Sequence, residues 1–251
     1  MRTLIAFLLA TAPLAGCAAP QIPKPLQGVR RIVVMGDSIT QGGGGPGGYV
    51  WLLQKTLDAL YPAQGIEVIN AGVSGHRSTD MAARFQRDVL DRKPDLVTIN
   101  AGVNDVWHGF YDWQEGKRHP DGDLPAGVPL ATYREKVGAM VDAALAAHVR
   151  VVLVSPTLIY EDLGCAENVR LTEYCRAMRE IAREKRCIFV DLNTPFREVV
   201  GVYRKYAGAA PNLLTTDGVH MNPLGYKLMA QGILRGLGLT DAQIAAASSR
   251  S

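Results

Sequence analysis

The chain predicts a three-layer α/β/α sandwich around a five-stranded parallel sheet. Five short runs rich in Val and Ile punctuate it, at Arg31 to Met35, Ile66 to Asn70, Leu96 to Asn100, Val151 to Ser155 and Ile188 to Asp191. Helical patterns alternate with them, near Tyr49 to Leu60, Thr79 to Asp91, Thr132 to His148 and Glu167 to Lys185, with a last one from Pro223 to Leu237. Runs that are apolar on successive residues suit strands covered on both faces, and intervening helices supply the right-handed crossovers a parallel sheet needs. The third helix shows the periodicity best. Val137, Met140, Val141, Ala144, Leu145 and His148 fall at i, i+3, i+4, i+7, i+8 and i+11, while Arg134, Glu135 and Asp142 take the opposite face. On this reading His148 packs against the sheet.

The first residues have the layout of an export signal: Arg2, an apolar run from Leu4 to Ala10, then Leu14-Ala15-Gly16-Cys17. The run is shorter than the about 20 apolar residues of a membrane span, and Pro13 interrupts it. The last four residues resemble a bacterial lipobox, which implies cleavage after residue 16 and a lipid on the Cys17 thiol; ordinary secretion is the alternative. Residues 17–28, with Pro20, Pro23 and Pro25, read as the lipidated Cys and an extended tether, and residues 29–251 as one domain large enough for its own core. Membrane contact would then come only through the Cys17 lipid.

With 47% apolar and 20% charged residues the composition is that of an ordinary globular protein. The formal net charge is only +3, and the Arg and Lys residues from Arg176 to Arg186 recur as a solvated helix face, so nucleic acid is a poor partner. An oxidising compartment would permit Cys165 to pair with Cys175, leaving Cys187 as a buried, inert thiol. None of the spacings matches a zinc site, so no metal is expected.

In doubly wound folds ligands sit beyond the carboxyl ends of the strands, and that is where the chemically suggestive residues fall. Ser38 follows the first run, with Gly36 permitting a tight exit. A serine hydroxyl is a weak nucleophile unless a base accepts its proton, and His220 is the candidate base. Asp217, three residues before it, can hold one ring nitrogen and leave the other for Ser38. Negative charge developing on an attacked carbonyl needs preset donors: the Ser38 backbone N–H, the Gly75 N–H and the Asn104 side-chain amide. Asp37 and Asp105 are expected to hold loops through backbone hydrogen bonds.

Four blocks occur in order: Gly36-Asp37-Ser38, the segment ending at Gly75, Gly102-Val103-Asn104-Asp105, and Asp217-Gly218-Val219-His220. In these the chain resembles the SGNH or GDSL hydrolase family over nearly all of the mature domain; Ile39 stands where members often have Leu. The resemblance implies a flavodoxin-like sheet, no cofactor, and a serine esterase acting on a small-molecule or oligosaccharide ester. Removal of acetyl groups from carbohydrate is the expected reaction, with a lysophospholipase or short-chain thioesterase using the same residues as the alternative. A more distant one is a lipoprotein that only binds glycans.

Two other architectures fit less well. An α/β-hydrolase elbow reads G-x-S-x-G, but Thr40 stands at its last position. The run Gln41 to Gly48 could be a phosphate cradle, yet Pro46 lacks an N–H and no Lys-Ser or Lys-Thr pair follows. The segment from Val106 to Val128 is too long for a simple turn and holds Trp107, His108, Phe110, Tyr111 and Trp113. Its aromatic faces, Trp107 and Trp113 above all, suit either a sugar ring or the anchoring of a long loop. His76, beside Gly75, is a candidate substrate contact, whereas His108 and His119 are not.

Overall fold

The computed structural model describes residues 21–207 and 211–249. The export signal and Cys17 therefore lie outside the described residues, among which no helix is long and apolar enough to cross a membrane.

Five strands form the central sheet: β1 (Arg31–Gly36), β2 (Glu67–Gly72), β3 (Leu96–Asn100), β6 (Arg150–Val154) and β7 (Ile188–Val190). A small hairpin, β4 (Tyr111–Asp112) and β5 (Lys117–Arg118), stands apart from it. The sheet order is β2-β1-β3-β6-β7 and every pairing is parallel. This is the flavodoxin-like order, in which the chain leaves β1 in opposite directions across the sheet and opens a crevice between β1 and β3. All of β3, Ile32 to Gly36 of β1 and Val151 to Val154 of β6 are buried, whereas β2 and β7 at the edges are mostly half-buried. That gradient explains the unbroken apolar runs: a central strand is covered above and below, and each buried Val or Ile is worth roughly 1.5–3 kcal/mol over an exposed one.

The helices are α1 (Ser38–Gly42), α2 (Tyr49–Leu60), α3 (Ser78–Asp88), α4 (Val103–Phe110), α5 (Leu130–Ala146), α6 (Ala166–Glu184), α7 (Asn193–Ala207), α8 (Pro223–Gly236) and α9 (Asp241–Ser248). α3, α5 and α6 pack side by side, and α2, α8 and α9 form a second group. The sheet between them carries the core.

Three sequence expectations differ from the structure. His148 does not pack against the sheet. α5 ends two residues earlier, and His148 is exposed with φ 59°, its N–H on Leu145 O (3.0 Å) and that of Val149 on Ala144 O (2.9 Å). This is a Schellman stop, in which the left-handed residue turns outward and the next apolar residue, Val149, enters the core. Cys165 and Cys175 are free thiols. Cys165 is the N-cap of α6 and Cys175 lies ten residues along it, about 15 Å of rise, which no disulfide spans. Finally, the end of the expected tether is folded: Lys24–Leu26 form a 3-10 turn, Leu26 is fully buried, and Arg150 Nη1 donates to Pro25 O at 2.9 Å.

Candidate active site

Ser38 opens α1 directly beyond β1. The capping duty belongs to its neighbour: Asp37 is the N-cap and its Oδ1 accepts from Ile39 N at 2.9 Å, so the Ser38 hydroxyl is spared for other work. Its Oγ lies 2.9 Å from His220 Nε2, and His220 Nδ1 lies 2.6 Å from Asp217 Oδ2. The other Asp217 oxygen accepts from the N–H groups of Val219 (2.9 Å) and His220 (2.7 Å). Partial burial opposes ionisation of Asp217, but the bonds from the His220 ring and the two backbone N–H groups outweigh it and hold the carboxyl below its ordinary range. An ionised Asp217 favours the tautomer that carries its proton on Nδ1 and leaves Nε2 as an acceptor facing Ser38.

The loop bearing this pair is anchored from outside. A bridge joins Thr215 to Met221. Glu161, 3% exposed, collects the N–H groups of Leu213, Leu214 and Thr215 and the Thr215 hydroxyl at 2.7–2.9 Å. Gly218 sits at φ 98° against the Tyr160 ring, where a side chain would meet both backbone strain and a clash. Sequence reading missed Glu161, because an isolated acidic residue in a loop looks solvated until the N–H groups that bury it are known.

Beside Ser38 lies a cavity of about 320 Å³ lined by Ser38, Ser74, Gly75, Asn104, Trp107, His108, Trp113 and His220. Gly75 follows β2, with φ 76°, and Asn104 lies in the first turn of α4 after β3. Asn104 Nδ2 donates one hydrogen to His76 O (3.1 Å), which orients the amide and leaves it a second N–H. The side chain of His76 is not part of the lining. Its Nδ1 accepts from Arg84 Nε at 2.9 Å. His108, set aside in the sequence reading, does line the cavity, and burial pulls its basicity below that of a free histidine.

The segment after Asn104 is less irregular than its length suggests, since α4 and the β4–β5 hairpin occupy most of it. Trp107 is 8% exposed, donates from Nε1 to the Tyr160 hydroxyl (3.1 Å) and packs edge-on toward His220. Trp113, at the hairpin, is 54% exposed and meets Trp107 edge-to-face at 4.8 Å. The buried Trp107 thus anchors the segment, while Trp113 leaves an open face beside the cavity. A bidentate pair between Arg118 and the fully buried Glu167 ties the hairpin to α6.

Burial raises the Asp37 and Asp105 carboxyls to about 6. Asp105 receives the Ser78 N–H (3.0 Å) and hydroxyl, locking the start of α3 to α4. A carboxyl raised in the folded state favours folding at low pH and loses that contribution as pH climbs from its unfolded value of 3.8 through about 6. Relative to Asp105→Asn, the wild type should therefore lose about 2 kcal/mol of stability between pH 4 and pH 7. Denaturant titrations of both chains across that range measure it, and parallel curves would refute it.

The Gly-rich run is not a phosphate cradle. Gly43 O already accepts the Val50 and Trp51 N–H groups at the start of α2 (3.0 and 3.2 Å), and a side chain at Gly48 would lie 2.3 Å from that oxygen. Among the described residues, Asp112, Glu115 and His119 bring three donor atoms within 4.8 Å of one another, and none of the three lines the Ser38 cavity; Asp112 Oδ1 is already taken by the Gln114 and Glu115 N–H groups.

Residues 34–228 match the GDSL-like Lipase/Acylhydrolase family. An acetylxylan esterase of Geobacillus stearothermophilus is 30% identical over 83% of this chain and 94% of its own. Its crystal structure superposes with a TM-score of 0.70, covering 84% of this chain and 95% of that one. Other solved structures of that enzyme are of catalytic mutants in which a serine, an aspartate or a histidine is replaced. A second solved acetyl xylan esterase is 27% identical, with a TM-score of 0.70 over 82% of this chain and 98% of its own. An uncharacterized lipoprotein of Bacillus subtilis is 32% identical over 42% of each chain. With its family match spanning Ser38 to His220 and an acetylxylan esterase 30% identical over most of both chains, the chain belongs to the GDSL-like lipase/acylhydrolase family and is an SGNH esterase.

Proposed function

We propose that this esterase removes acetyl or similarly short acyl groups from carbohydrate, using Ser38 as nucleophile, His220 as general base and Asp217 to orient it. The observation that carries the reading is the continuous hydrogen-bonded line from Ser38 Oγ through the His220 ring to Asp217 at the edge of an aromatic cavity. His220 takes the serine proton as Oγ attacks the ester carbonyl, and the imidazolium formed is stabilised by Asp217. The tetrahedral oxyanion is received by the N–H groups of Ser38 and Gly75 and the second N–H of Asn104. His220 then gives that proton to the departing sugar oxygen as its bond to the acyl carbon breaks, and water repeats the cycle on the acyl-enzyme. The residue types replaced in the catalytic mutants of the Geobacillus enzyme support these roles.

Short acyl specificity is supported by the lining: two tryptophans, two histidines and small polar residues, with no Leu, Ile, Val or Met to accompany a long chain. The exposed Trp113 offers a flat face for a sugar ring. Two relatives are named acetylxylan esterases, which favours an acetylated sugar over a lysophospholipid. A lipid on Cys17 would hold the enzyme at the cell envelope, as the lipoprotein relative suggests. Rates on p-nitrophenyl acetate, octanoate and longer esters, and then on acetylated xylo-oligosaccharides against lysophospholipids, test the proposal; a long-chain optimum would overturn it. Within this mechanism Asn104→Ala should lower kcat roughly 10²- to 10³-fold. Unchanged turnover would remove Asn104 from the oxyanion site.

A further inference from the structure

Arg84 is a charged side chain that the sheet and α3 bury to 6% exposure. Burying a cation is unfavourable unless its donors are met, and here they are. Nη2 donates to Gly36 O (2.9 Å), Nη1 to Ala71 O (2.8 Å) and to Asp88 Oδ2 (2.9 Å), and Nε to His76 Nδ1 (2.9 Å). These acceptors are not arbitrary. Gly36 is two residues before Ser38, and Ala71 is the penultimate residue of the strand that leads to Gly75. His76 follows Gly75 and lends its carbonyl to Asn104 Nδ2. Gly36 O also takes the Val73 N–H (3.1 Å), closing the network between the two strand ends. One planar guanidinium therefore touches the supports of all three oxyanion donors, although Arg84 itself is absent from the cavity lining.

We propose that Arg84 is a positioning residue that sets the oxyanion donors in register with Ser38, acting through His76 and the carbonyls of Gly36 and Ala71. The inference rests on the serine-esterase reading above. Lysine cannot replace the planar fork, which meets four acceptors in different directions.

The test is kinetic and spectroscopic. Arg84→Met should lower kcat on p-nitrophenyl acetate roughly 10- to 100-fold with KM changed less than about 3-fold, because an oxyanion is bound only in the transition state. In an Asn104→Ala background the same change should cost less than it does in the wild type, since one of the three donors it serves is gone. Arg77 and Arg84 face the His76 ring along with Asp80 and Asp88, and burial and the Arg84 charge hold its basicity down. Nitrogen NMR should show His76 titrating at higher pH in Arg84→Met. Should that variant not fold, Arg84→Lys, which keeps the charge without the fork, is expected to show a smaller kcat loss of the same kind. Wild-type kcat in a folded variant, or full additivity with Asn104→Ala, would overturn the proposal. Fluorophosphonate labelling run alongside keeps the two readings apart. An unlabelled Ser38 would defeat the esterase mechanism, whereas a labelled Ser38 with undiminished turnover in Arg84→Met would defeat only the role of Arg84.

Discussion

Ser38→Ala should abolish turnover, lowering kcat/KM by at least about 10⁴-fold, and should leave the protein as stable as the wild type. The first half follows from chemistry: without the hydroxyl no acyl-enzyme forms, and only binding and the oxyanion donors remain to assist water. The second follows from local structure. The hydroxyl's bond is to His220 and the helix cap is supplied by Asp37, so its removal leaves no buried donor stranded and should change stability by less than about 0.5 kcal/mol. Kinetics on p-nitrophenyl acetate, one fluorophosphonate adduct in the wild type against none in the variant, and matching denaturant midpoints check both halves. A variant that still turns over would place the nucleophile elsewhere.

Asp217→Asn should be nearly as damaging, with kcat lowered by about 10⁴-fold at neutral pH. One Asp217 oxygen accepts two backbone N–H groups and the other accepts from His220 Nδ1. An asparagine keeps its amide oxygen on the backbone pair, because the NH₂ group cannot accept from them. The NH₂ then faces Nδ1, which must become the acceptor, and the ring proton moves to Nε2, where it points at Ser38. The loop keeps its turn while the base presents a proton in place of a lone pair. The expected signature is a lost kcat with nearly unchanged KM and stability; a loss of less than about tenfold would show that Asp217 does not set the tautomer.

Both variants concern residues that could be named from the sequence, and the reason is local. A Val/Ile run followed by Gly36 announces a buried strand with a sharp exit, which puts the next polar residues at the rim. Asp217 and His220 are close enough to bond within one turn. The strands β1, β3 and β6 and the helix α2 were legible for the same reason, their patterns being complete within a dozen residues. Asn193–Ala207 was not recognised as a helix, because Pro195 and Gly201 interrupt its pattern. Pro195 is nonetheless tolerated in the first turn, where no intrahelical N–H bond is lost. The helical stripe of α5 was extended one step too far, to His148, because periodicity alone does not mark a Schellman stop.

Arg84 and Glu161 lay further out of reach. Arg84 stands among Arg87, Asp88 and Gln86 and reads as part of a solvated face; its burial depends on carbonyls that two strands deliver from 13 and 48 residues away. Glu161 is 52 to 54 residues from the N–H groups it binds.

What the sequence alone determined is the alternation of strand and helix and the order of four short motifs, since both depend on neighbours a few bonds apart. What only the tertiary structure decided is their convergence. Ser38 and His220 are separated by 182 residues yet lie 2.9 Å apart, because a parallel sheet brings the carboxyl ends of its strands to one rim and buried ions pin the loops there. That distance depends on packing summed over the whole core.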